Sequence, residues 1–138
     1  KPILIGVHIK KNNLLPSNET ISSVFTKYKN NNWIGLISAC VSPEIAENCS
    51  AEIKELKIPF GFKANLWAVE EPTPVQTFNT AKHNEIGKNP NVALGKRTDV
   101  SDKHFYNFSK KLVEKGATIL GGCCEITPWH IKALSQLK

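Results

Sequence analysis

Gly121-Gly122-Cys123-Cys124-Glu125-Ile126-Thr127-Pro128 is the stretch from which the rest of the chain can be read. Two adjacent cysteines follow two glycines at the end of an apolar run, Ala117 to Leu120. A helix start follows at once, with Thr127 as N-cap and Pro128 at the first helical position. The order is that of a strand handing over to a helix across a tight turn. Adjacent cysteines bond each other only under strain, because disulfide geometry is demanding. Both can instead ligate one soft metal where the chain turns, and the glycines leave room for the turn and for close backbone approach. The helix N-terminus also lowers thiol pKa values. The segment therefore reads as a thiolate zinc site at a strand end.

Upstream, strand-like and helix-like patterns alternate. Ile3 to Ile9 is an apolar run interrupted only by Gly6 and His8, which predicts a strand buried on both faces. Ile21, Val24, Phe25 and Tyr28 fall at helical spacing. Trp33 to Ala39 reads as the second strand, with Cys40 at its C-terminal end. Ser42 then serves as N-cap, Pro43 as first helical residue and Glu44 as first-turn acid, before an apolar stripe of Ile45, Cys49, Ile53 and Leu56. Pro59 to Leu66 is the third strand. A long polar segment runs from Ala68 to about Val100 and contains Pro72, Pro74 and Pro90; loops of this length are functional or disordered. Ser101 caps a helix that turns Phe105, Phe108 and Leu112 inward, and Gly116 closes it. Ala117 to Gly121 is the fourth strand, and the last helix turns Ile131 and Leu134 inward.

Four alternating β/α units imply parallel strands joined by crossovers. An open doubly wound sheet and half of an eightfold barrel both fit. No glycine fingerprint follows the first strand, so a dinucleotide site is unsupported. The cysteines favour the barrel. Cys40 and the Cys123-Cys124 pair end the second and fourth strands. Alternate strands of such a barrel aim side chains into one layer, and sites gather at its C-terminal rim. Three protein ligands would leave zinc one open position, the pattern of a catalytic site. Cys49 lies two turns into a helix on its apolar stripe and reads as core packing.

Composition narrows the classes. The net charge is +6, but the lysines are scattered and Arg97 is the single arginine. Phosphate and base recognition favours arginine forks, so the charge reads as a solvated surface and nucleic acid is not an expected partner. No apolar run approaches the roughly 20 residues needed to cross a bilayer. Four cysteines in a chain unlike a small, loop-rich secreted scaffold point to a cytoplasmic protein with metal-binding thiols. The chain contains no methionine and opens on a strand-like run, Lys1-Pro2-Ile3-Leu4-Ile5, without signal-peptide features. We read it as a fragment of a longer protein. An open half-barrel exposes sheet edges and apolar surface, so self-association is expected.

The segment Gly-Gly-Cys-Cys-x-x-Thr-Pro-x-His-Ile at Gly121 to Ile131 closely resembles the terminal motif of the homocysteine S-methyltransferases. That family includes the betaine- and S-methylmethionine-dependent enzymes and the homocysteine domain of cobalamin-dependent methionine synthase. The resemblance covers the whole chain, residues 1–138, aligned with the C-terminal half of a (β/α)8 TIM barrel. Cys40-Val41-Ser42-Pro43 looks like the family's first zinc-ligand site, and Cys123 and Cys124 match the other two ligands. Asn65 resembles an asparagine near the end of the family's seventh strand, and Gly122 joins it as an expected substrate-binding residue. The implied activity is Zn2+-dependent transfer of a methyl group from an onium donor to the thiol of homocysteine, giving methionine. Ala39, Glu125 and Ile126 depart from the family pattern, where Asn precedes the first cysteine and Gly-Thr follows the pair. The family's opening strands, which help bind homocysteine and the donor, have no match here. The expectation is therefore that the chain keeps the zinc ligands but is inactive alone. A non-catalytic zinc-binding half-barrel, or a degenerate relative, is the alternative. His8 is placed near the rim, His130 is read as structural, and Trp67 as packing rather than as a cation–π wall for the donor.

Overall fold

The computed structural model describes residues 1–68 and 94–137. Strands and helices alternate in the order β1 (Ile3–Val7), α1 (Ile21–Tyr28), β2 (Trp33–Val41), α2 (Pro43–Glu55), β3 (Phe60–Ala64), α3 (Asp102–Glu114), β4 (Ile119–Gly122) and α4 (Pro128–Leu134). The strands form one parallel sheet in the order β1-β2-β3-β4. Each strand therefore pairs with its sequence neighbour, the arrangement of four consecutive β/α units. Most of the polar segment predicted between the third strand and the third helix, residues 69–93, lies outside the described residues.

Local chemistry sets the helix starts. The side chains of Thr20, Ser42 and Ser101 accept hydrogen bonds from the backbone N–H groups of Ser23, Ile45 and His104. These bonds satisfy donors that a helix cannot satisfy within itself. Gly116 follows α3 with φ 103, a conformation that side chains disfavour, and so ends the helix.

The helices cover one face of the sheet. Leu36, Val41, Phe60 and Phe62 from the strands pack with Ile21, Ile45, Cys49, Ile53 and Leu112 from the helices. Strand alternation sends Gly61 and Lys63 of β3 to the opposite face. On that second face Gly35 makes room for its neighbours. A Cβ there would lie 3.0 Å from Leu4 Cδ1 and 3.4 Å from Ile119 Cδ1.

Two expectations about burial are corrected. The first strand is not buried on both faces, because Ile3 and Leu4 are 40% and 44% exposed. It is an edge strand that pairs only with β2 among the described residues. Ile131 on α4 is likewise exposed and Leu134 only partly buried. Periodicity marks an apolar stripe, but the stripe is buried only where another element covers it. No helix among the described residues is long and apolar enough to cross a membrane.

Candidate metal centre

The cysteines of the predicted trio reach the C-terminal end of the sheet by two local devices, a bulge at Cys40 and a turn that carries Cys123 and Cys124. Cys40 lies within β2, where the pairing with β3 slips between Ala39 and Val41. Its φ is 58, the left-handed conformation that costs a residue with a side chain about 1–2 kcal/mol. This bulge breaks the alternation of the strand and re-aims the Cys40 side chain. Strain of this kind is kept where the surroundings over-determine it, and it concentrates at functional sites.

The surroundings here are Asn65. Its Nδ2 donates to the Cys40 carbonyl at 2.8 Å, and its Oδ1 accepts from Trp67 N–H at 3.2 Å. The Asn65 N–H donates to Val41 O at 2.8 Å. Asn65 is 1% exposed, so these bonds form away from water.

Cys123 and Cys124 follow β4 directly. Cys123 N–H donates to Ala64 O at 2.8 Å, and Leu66 N–H donates to Cys124 O at 3.0 Å. Ile126 N–H then returns to Cys123 O at 3.2 Å, closing a four-residue turn. Glu125, third in that turn, has φ 64. That conformation favours glycine, which is a physical reason why a glycine suits the position. Gly122 is required by contact: a Cβ on it would lie 2.3 Å from Ile126 Cγ2 and 2.7 Å from Ile126 Cβ.

The three sulfurs converge. The Sγ separations are 3.1 Å for Cys40–Cys123, 3.8 Å for Cys123–Cys124 and 3.9 Å for Cys40–Cys124. Among the described residues, this is the group of three or more potential ligands that could hold a metal ion. Four-coordinate zinc with Zn–S bonds of about 2.3 Å holds its sulfurs about 3.8 Å apart. Two of the three separations already fit, and the Cys40–Cys123 pair needs only to open slightly. Cys49 takes no part. It is fully buried on α2, with Sγ 3.5 Å from Ala46 O.

Without a metal, Cys40 and Cys124 hold their protons more tightly than a free thiol. Burial, then hydrogen bonding to Cys123 and the neighbouring thiols' charge, pushes Cys40 up to about 12. Burial and the charge of Cys123 also raise Cys124. At Cys124 the helix-terminus effect expected to favour the thiolate is thus outweighed by desolvation and by the neighbouring thiol. A divalent cation held by the three sulfurs would supply the missing charge, and its binding would release protons.

The remaining singled-out residues have defined places. His8 follows β1, half-buried, with Nδ1 3.1 Å from Ala39 O; burial lowers its pKa. His130 is buried under α3, edge-on to Phe105, and its Nδ1 accepts from Thr127 N–H at 3.0 Å. Trp67 is buried. Sequence reasoning missed Arg97, which straps residues 94–99 across the rim. Its guanidinium makes two 2.8 Å bonds to the Glu44 carboxylate and bonds of 3.0 and 2.7 Å to Asp99. The fork holds Asp99 down at about 2. Beside it, Lys96 Nζ lies 3.8 Å from Glu125 Oε2.

The family model described as homocysteine S-methyltransferase matches residues 1–137. No curated protein and no solved structure matches the chain.

Proposed function

The chain belongs to the homocysteine S-methyltransferase family, and from that membership we propose that residues 1–138 are the C-terminal half of a (β/α)8 barrel domain whose Cys40, Cys123 and Cys124 hold the Zn2+ used in methylating homocysteine. The carrying observation is the convergence of three thiols from two strand ends to separations of 3.1, 3.8 and 3.9 Å. Four parallel β/α units, with β1 and β4 at the sheet edges among the described residues, support the barrel.

Bound zinc would supply the positive charge that keeps a ligating thiol deprotonated near neutral pH. The chain's own residues would do the rest. Asn65 holds the Cys40 bulge, and the Cys123–Ile126 turn holds the other two sulfurs, so the site is formed before substrate arrives. Three thiolates around a divalent cation leave a formal charge of about −1, so a fourth sulfur keeps its electron density. With the ion held by Cys40, Cys123 and Cys124, the thiol of homocysteine would be the nucleophile toward the methyl carbon of an onium donor. The new S–C bond would form as the donor's bond to methyl breaks, the electron pair leaving with the neutralised donor and the thiol proton passing to solvent. Asn65 and Gly122 would stand beside homocysteine while fixing the cysteines it meets.

Zinc K-edge absorption of the zinc-loaded chain tests this reading. Three sulfur neighbours should become four on adding homocysteine. A sulfur count that stays at three under saturating homocysteine refutes homocysteine ligation by this chain.

A further inference from the structure

A path of hydrogen bonds leaves the cysteine turn at Cys124 and returns to it at Thr127. Leu66 N–H donates to Cys124 O at 3.0 Å, and Arg97 N–H donates to Leu66 O at 2.9 Å. Three residues beyond Arg97, Val100 O lies 3.3 Å from His130 Nε2. His130 Nδ1 in turn accepts from Thr127 N–H at 3.0 Å and from the Thr127 hydroxyl at 2.9 Å. Thr127 stands three residues after Cys124, so the path closes on the segment where it began.

The first two links join backbone to backbone and ask nothing of the side chains. The last two run through the His130 ring. A backbone N–H only donates and a carbonyl only accepts, so both contacts call for one neutral tautomer, with the proton on Nε2. The ring is 7% exposed and stands edge-on to Phe105, with centroids 5.5 Å apart. Val100, its second anchor, adjoins Ser101, the N-cap of α3.

This link bears on the thiols because of where the turn is held. Its start is fixed by the Cys123 N–H bond to Ala64 O at 2.8 Å. Its far end runs into α4, which has seven residues, too few for a helix to be stable by itself. The placement of that end therefore depends on contacts of the kind His130 makes. Between the two ends Glu125 keeps φ 64. Releasing Thr127 would let the turn relax and carry Cys124, the cysteine nearer that end, away from the other two sulfurs.

We propose that His130 is a positioning residue of the metal centre: by tying Thr127 to Val100 it aims the Cys124 thiol at the ion. His130 touches neither the ion nor a substrate in this account. The inference rests on the metal-site reading above and adds to it the side chain that keeps the third ligand in place.

Cobalt(II) titration of the full chain provides the test, because thiolate-to-cobalt absorption reports sulfur ligation. Three variants separate hydrogen bonding from packing. His130→Phe keeps a ring against Phe105 and makes neither hydrogen bond. His130→Ala loses the ring and the bonds together. His130→Gln restores an acceptor for Thr127 N–H, as in a common capping box. Cobalt affinity should fall about 10–100-fold in His130→Phe and His130→Ala, together with the absorption that one of the three sulfurs supplies. His130→Gln should recover most of both. Thr20→Ala removes the cap of α1, touches none of the links above, and should bind cobalt as the native chain does. Native cobalt binding in His130→Phe, no recovery in His130→Gln, or an equal loss in Thr20→Ala overturns the role of His130 while the metal centre stands. A native chain that takes up no cobalt overturns the metal reading and this inference with it.

Discussion

Asn65→Ala separates a residue that holds the metal site from one that only touches substrate. The substitution removes the 2.8 Å bond to Cys40 O and the 3.2 Å bond from Trp67 N–H. Each is worth about 1 kcal/mol net, and leaving the two buried backbone groups unpaired adds about 1–2 kcal/mol. The expected loss of stability is about 3 kcal/mol, which lowers a urea midpoint by roughly 1–2 M for a slope near 2 kcal/mol/M. The more telling effect is on the metal. The left-handed Cys40 backbone is no longer held, so its thiol samples other directions, and zinc affinity should fall about 10–100-fold. Zinc competition against a chromophoric chelator measures this under conditions where circular dichroism shows the variant folded. Asn65→Asp should behave similarly, since it swaps the donor to Cys40 O for an acceptor. Native zinc affinity in both variants, with only homocysteine binding weakened, would refute the bracing argument.

Three further outcomes follow from the same structure. Gly122→Ala forces a Cβ against Ile126 and should cost about 1–3 kcal/mol in urea denaturation while weakening zinc binding. Glu125→Gly relieves a positive φ at the turn and gives up only an exposed pair with Lys96, so thermal or urea unfolding should show a gain of about 0.5–1 kcal/mol. Burial pushes the Cys49 thiol up to about 12 from the ordinary 9.0. Below pH 9 both folded and unfolded chains hold this proton, whereas between 9 and 12 only the unfolded chain releases it. Stability of the metal-free chain should therefore fall over that window, by about 1.4 kcal/mol per pH unit from Cys49, and Cys49→Ala should flatten the slope by that amount.

The parts of the fold written in short-range chemistry were legible in the sequence. Ser42-Pro43, Ser101 and Thr127-Pro128 mark helix starts because capping needs only residues within one turn. The alternation of elements and the burial of Cys49 followed from periodicity. What depends on a distant neighbour was not legible. Nothing in Ala39-Cys40-Val41 announces a left-handed cysteine at a bulge, because the bulge arises from pairing with β3 and from Asn65. The exposure of Ile3, Leu4 and Ile131 reflects which elements lie beside them, which an apolar pattern does not carry. Arg97 joins Glu44 across 53 positions and gave no local signal.

Zinc content per chain, measured on reduced and zinc-replete protein, tests the central claim most directly. The account predicts about one zinc in the native chain and in Cys49→Ser, and its loss in Cys40→Ser, Cys123→Ser and Cys124→Ser. Zinc that persists without Cys124, or a native chain that binds none, would contradict it.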